Sequence, residues 1–93
     1  MKKQRPHFLY VLHDNAGFCK VGITNHVGRR VVAIQNGNPR KLLVHSIWRF
    51  VAESHAALVE AACLRGSIRH GAHGEWIKCN PHAIVTRKQA VRS

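Results

Sequence analysis

The chain has four acidic residues among 93, against fifteen lysines and arginines, so each carboxylate can be weighed by its address. Asp14 opens the segment Asp14-Asn15-Ala16-Gly17, where Asp is an ordinary turn residue. Glu53 stands just ahead of a helical stretch, near the positive end of its dipole. Glu75 precedes Trp76 at the edge of the last strand. Glu60 is different. It lies three residues after Ala57 and four before Leu64, so helical spacing directs it along an apolar face. An ionised carboxylate there costs free energy unless a cation or hydrogen-bond donors meet it. A salt bridge to one of the many arginines would meet that need. A bound metal would meet it too and would give Glu60 a catalytic role.

Nitrogen and sulfur ligands come next. Cys63, His70, His73, Cys79 and His82 contain no Cys-x-x-Cys pair, and their spacings match no common structural zinc module. Solvent-facing or phosphate-contacting histidines are the expectation for the Gly-rich loop at 70–74. Cys19, Cys63 and Cys79 are odd in number and far apart. They are expected as reduced thiols, two of them packed as small hydrophobes.

The elements that must position these groups follow from periodicity and punctuation. Residues 1–6 read as a basic arm ending at Pro6, and residues 7–93 as a single domain. Residues 7–13 (HFLYVLH) and 18–23 (FCKVGI) read as two strands of an antiparallel hairpin, with Gly17 suited to a positive φ. Thr24 or Asn25 is expected to cap a helix over 27–35, which Asn36-Gly37-Asn38-Pro39 stops. Residues 42–51 suit a third strand. Ser54 is expected to cap a helix over 55–69, whose apolar face would carry Ala57, Ala61, Leu64 and Ile68. Residues 75–78 suit a short strand, and Pro81 the first turn of a final helix. The expected fold is α+β, in the order β-β-α-β-α-β-α, with helices on a short mixed or antiparallel sheet.

The formal charge of +11 implies a polyanionic partner. Counterion release from phosphate supplies affinity without any reading of sequence. The basic residues are spread along the chain and form no single basic amphipathic helix, which favours nucleic acid over a membrane surface. No apolar run approaches the roughly 18 residues of a membrane span. The Lys2-Lys3-Gln4-Arg5 start leads to His7 and not to a cleavable apolar stretch, so a cytoplasmic location is expected.

An ordered set of short motifs adds to this. Phe8-Leu9-Tyr10 is followed by Lys20-Val21-Gly22, which continues as Ile23-Thr24-Asn25. Arg30 comes eight positions after Gly22. Then come Gln35-Asn36-Gly37-Asn38-Pro39, Glu60 and Gly74-Glu75-Trp76. Together, from Phe8 to Lys78, they resemble the GIY-YIG nuclease family, in particular its compact phage and bacterial branch. There are departures. The first triplet lacks its glycine and isoleucine, Lys20 replaces the second tyrosine, and Ile34 stands where many relatives carry a His or Tyr one turn after the arginine.

The resemblance implies a GIY-YIG-like domain and an endonuclease cutting DNA, with RNA not excluded. It implies one Mg²⁺ or Mn²⁺ held by Glu60, with waters filling the other positions. Arg30 would bind the non-bridging phosphate oxygens through its planar fork. Tyr10 would activate or orient the attacking water. Lys20, on the paired strand, would stabilise a phenolate or itself take the proton, and the sequence leaves that choice open. Arg29, Arg40, Lys41, Arg49, Arg65, Arg69 and the tail from Arg87 to Arg92 are candidate phosphate contacts. Trp48 and Trp76 read as packing, and Asn36 and Asn38 as turn residues. The protein would be a monomer or homodimer in a bacterial cytoplasm, chromosomal or phage-encoded. Two other functions stay open: a non-catalytic nucleic-acid-binding module on the same scaffold, and a small phage-type inhibitor of a host system.

Overall fold

A computed structural model describes residues 6–71 and 75–91. The start of the basic arm, His73, Gly74 and Arg92 lie outside them. The elements run β1 (His7–His13), β2 (Phe18–Thr24), α1 (Val27–Asn36), β3 (Leu43–Phe50), α2 (Glu53–Leu64), β4 (Arg69–His70), β5 (Trp76–Lys78) and α3 (Pro81–Gln89). Five strands form one sheet in the order β3-β1-β2-β5-β4, and every pairing is antiparallel. The α+β class holds. The expected element order is corrected to β-β-α-β-α-β-β-α, because Arg69–His70 pairs with Trp76–Ile77 as an extra strand where helix and loop were expected. No helix of the described residues is long and apolar enough to cross a membrane.

β1 lies between β3 and β2 and is covered on both faces. Leu9 and Val11 point to one side, into a core with Cys19, Val21, Ala56, Val59, Cys63, Ile77 and Ile84 under α2 and α3. Tyr10 and Leu12 point to the other, where Leu42 and the α1 residues Val31 and Ile34 cover them, with Trp76 alongside. That double burial explains why β1 shows a continuous apolar run instead of alternation.

The β1–β2 turn forms as the sequence implies. Asp14 Oδ1 accepts from Ala16 N at 2.8 Å and Phe18 N at 3.2 Å, and Gly17 has φ +94°. The α1 cap is corrected. His26 holds the N-cap position and its Nδ1 accepts from Arg29 N at 3.1 Å, while Thr24 Oγ1 accepts from His26 N at 3.2 Å. Thr24 therefore supports the cap from two residues before it. After α1, Gln35 closes the loop: its Oε1 accepts from Leu42 N at 2.8 Å and its Nε2 donates to Arg40 O at 2.9 Å. Asn38 Oδ1 accepts from Arg40 N, so Asn38 shapes the turn.

α2 departs from expectation at both ends and in its face. Its N-cap is Ala52, with no side-chain capping bond, so Ser54 does not cap it. It stops at Leu64, and Gly66 at φ +72° turns the chain away in a conformation that side chains resist. The buried residues are Ala56, Val59 and Cys63. Ala57 and Ala61 are exposed, and Ile68 lies outside the helix, 77% exposed. Apolar residues surround α2 almost evenly, so spacing alone did not single out the face.

Gly22 opposes Tyr10 across the hairpin. A Cβ at position 22 would collide with the Tyr10 phenol, and Tyr10 has 1% of its surface exposed, so it cannot swing away. Gly22→Ala is expected to destabilise the fold by about 1–3 kcal/mol through overpacking, read as a lowered denaturation midpoint in urea.

Candidate functional site

Directly opposed residues of an antiparallel pair share a face. Tyr10↔Gly22 and Leu12↔Lys20 therefore place Lys20 on the Tyr10 side of the sheet, under α1. There a cleft of about 360 Å³ is lined by Lys20, Arg30, Ile34, Asn38, Glu75 and Trp76, among others. β2 supplies the lysine, α1 the arginine, and the chain entering β5 the glutamate and tryptophan.

Lys20 is half-buried. Burial pushes its ammonium below the ordinary lysine range; Glu75 and, more weakly, Glu60 raise it, while Arg30 lowers it. Glu60, on α2, is also half-buried. Burial pushes its carboxyl above the ordinary carboxylate range, opposed by Arg69 and then Lys20. The structure thus places Lys20 within electrostatic reach of both Arg30 and Glu60. Tyr10 is placed differently from its three companions. It shares a face of the sheet with Lys20, but its ring is packed with Leu12, Leu42, Val31 and Ile34. Ile34 is a wall of that cluster, which accounts for an apolar residue at a position where a polar one was sought.

Glu75 was passed over as an edge residue in the sequence. Its carboxyl lies beside Gly71, and it is the first of the carboxylates acting on Lys20. The signals available were its rarity, as one of four acids, and its place in the Gly74-Glu75-Trp76 motif.

The candidate phosphate contacts separate. Arg29 is exposed on α1 beside Arg30. Arg40 pairs with Asp14 at 3.5 Å. Lys41 and Arg49 are exposed at and along β3, and Arg65 just after α2. Arg69 acts on Glu60, so the salt-bridge partner weighed for Glu60 has a counterpart here. In the tail, Arg87 Nη1 donates to Cys63 O at 3.0 Å and Ser67 Oγ at 3.1 Å, which ties α3 to the end of α2. Lys88 Nζ stands 5.3 Å from the Trp48 ring centre, a packing arrangement.

The thiols are free. Cys19 Sγ donates to Cys79 O at 2.9 Å, and its thiol is pushed up to about 12 by burial, with Cys79 and Asp14 adding to it. Burial also raises Cys63. Cys79 is the more exposed of the three.

Compared with family models, curated proteins and solved structures, the chain matches none.

A hard divalent cation takes oxygen donors and keeps several waters. Glu60 offers one half-buried carboxylate whose ionised form burial disfavours, so a cation at its oxygens would relieve that cost. The donor chemistry fits, and Lys20 and Arg69 compete for the same charge.

Two predictions follow from these groups. The folded-state pKa of Glu60 is raised above 4.5, so its protonated form favours folding at low pH. That contribution disappears as pH rises through the folded value. In metal-free buffer, Glu60→Gln is expected to melt above wild type at pH 7, with the gap closing below about pH 4.5. Equal gaps at both pH values would show that the carboxyl titrates normally. Under alkylation with iodoacetamide at pH 7.5, mass mapping is expected to find Cys79 modified first and Cys19 last.

Proposed function

We propose that the chain is a divalent-metal-dependent endonuclease of the GIY-YIG type, acting on DNA in a bacterial cytoplasm. The observation supporting this reading is the meeting of Lys20 and Arg30, from two separate elements, at one cleft, with the α2 carboxylate Glu60 within electrostatic reach of Lys20. A chain with formal charge +11 draws a polyanion to that cleft.

Arg30 is exposed at the cleft wall. It binds two non-bridging oxygens of the scissile phosphate through its fork and stabilises the charge that grows on them. Lys20 takes the proton of the attacking water. Half-burial holds a larger share of its amine unprotonated than an exposed lysine would have, the requirement for a general base near neutral pH. Tyr10, almost wholly buried, positions the hairpin floor beneath Lys20 and is not the proton acceptor. Glu60 holds a Mg²⁺ or Mn²⁺, which supplies Lewis acidity toward the phosphate when bound. Glu75 balances the charge of Lys20 from the other side.

A second reading, a non-catalytic nucleic-acid-binding module, draws on the same site. Ile34 gives the cleft an apolar wall where a further polar group would help the chemistry, and the Tyr10 ring is enclosed.

Plasmid nicking with Mg²⁺ or Mn²⁺ separates the two. Wild type is expected to nick, Glu60→Ala to lose activity, and Lys20→Met and Arg30→Ala each to fall by about 10²–10⁴-fold. A wild type that binds DNA but never nicks with either metal leaves the binding module. Equal nicking by wild type and Glu60→Ala assigns the activity elsewhere.

A further inference from the structure

A second and larger groove, about 610 Å³, runs beside the first. Among the described residues Asn25, His26, Arg29, Arg30 and Ala33 line it, and no acid does. Arg30 and Ala33 line both it and the Lys20 cleft, so the two openings adjoin at these residues on the exposed side of α1.

The chemistry of His26 is set by its own hydrogen bond. Its Nδ1 accepts from Arg29 N at 3.1 Å. A ring nitrogen that accepts carries no proton, so the neutral imidazole keeps its proton on Nε2. The ring is exposed and so offers a donor to the groove. From His26 to Arg30 the helix rises about 6 Å, comparable to the step between neighbouring phosphates of one strand. Arg29 adds a permanent cation between them.

We propose that one nucleic-acid strand runs from this groove into the other as through one channel, its phosphates bound by His26 Nε2–H and Arg29 before it passes Arg30 into the Lys20 cleft. The proposal rests on the nucleic-acid reading above and sharpens it. Among the arginines that spacing could not rank, Arg29 lies on the path. Arg65, beyond the end of α2 under the opposite face of the sheet, lies off it.

The test is binding without cleavage. Fluorescence anisotropy is measured in EDTA with a labelled single-stranded oligonucleotide and with its duplex, over a range of salt. His26→Asn keeps a side-chain acceptor for the helix cap but loses the ring donor, and circular dichroism checks that it folds as wild type does. His26→Asn and Arg29→Ala are each expected to weaken binding several-fold for every sequence tried, and Arg29→Ala to lower the salt slope by about 1. Arg65→Ala is expected to bind like wild type. Unchanged binding by both α1 variants, with a loss in Arg65→Ala or Arg49→Ala, overturns the path while keeping the nucleic-acid reading. Binding to duplex but not to the single strand overturns a one-strand channel. Failure of wild type to bind either oligonucleotide at low salt overturns the nucleic-acid reading itself.

Discussion

The phenol of Tyr10 lies across Gly22, and this contact sets the place of α1. A side chain on β2 at that point would lift the ring off the sheet. With glycine there, Tyr10 stays close to the sheet, and Val31 and Ile34 settle on it and on Leu12. Gln35 then holds the amide of Leu42, which joins the end of α1 to the chain leading into β3. With its apolar stripe committed to Tyr10, α1 presents Arg30 at the cleft over Lys20 and Arg29 to the open groove. Arg30, Lys20 and the neighbouring clefts therefore depend on one close approach of a ring to a backbone.

At Lys20 and at Glu60, burial and Coulomb attraction oppose each other, and burial prevails. Lys20 has Glu75 and Glu60 nearby, yet its ammonium is disfavoured. Glu60 has Arg69 and Lys20 nearby, yet its carboxylate is disfavoured. Each group is closer to its neutral form than it would be in water. Perturbed groups of opposite type within electrostatic reach of each other are a common property of sites that move protons or hold cations. Elsewhere the scarce acids do structural work: Asp14 ties its own turn and Arg40.

Charge also has a structural use on the far side of the sheet. Arg87 donates to the carbonyl of Cys63 near the end of α2, and the stem of Lys88 brings its ammonium to Trp48. These cations hold α3 against α2 and β3. A count of basic residues therefore overstates the surface free for phosphate, and the overstatement is largest in the C-terminal helix.

Local chemistry was legible in the amino-acid order. The hairpin, the Asp14 turn, the first helix and its Asn-Gly stop, Pro81 in the first turn of α3, the free thiols and the basic net charge all depend on neighbours within a few residues or on composition. Glu60 was marked as unusual for the same reason, although the wrong helix face was used to mark it. Only the tertiary structure decided the rest. Ala, Val, Leu and Cys surround α2 too evenly for spacing to choose Ala56, Val59 and Cys63 as its buried face. β4 exists because β5 pairs with it, a two-residue strand with no periodicity of its own. Glu75 reaches Lys20 only through the β2–β5 pairing, and Arg69 reaches Glu60 only once the chain turns back at Gly66 after α2. Those contacts join residues 40 or more positions apart or hinge on a single turn, and short-range spacing carries no information about either.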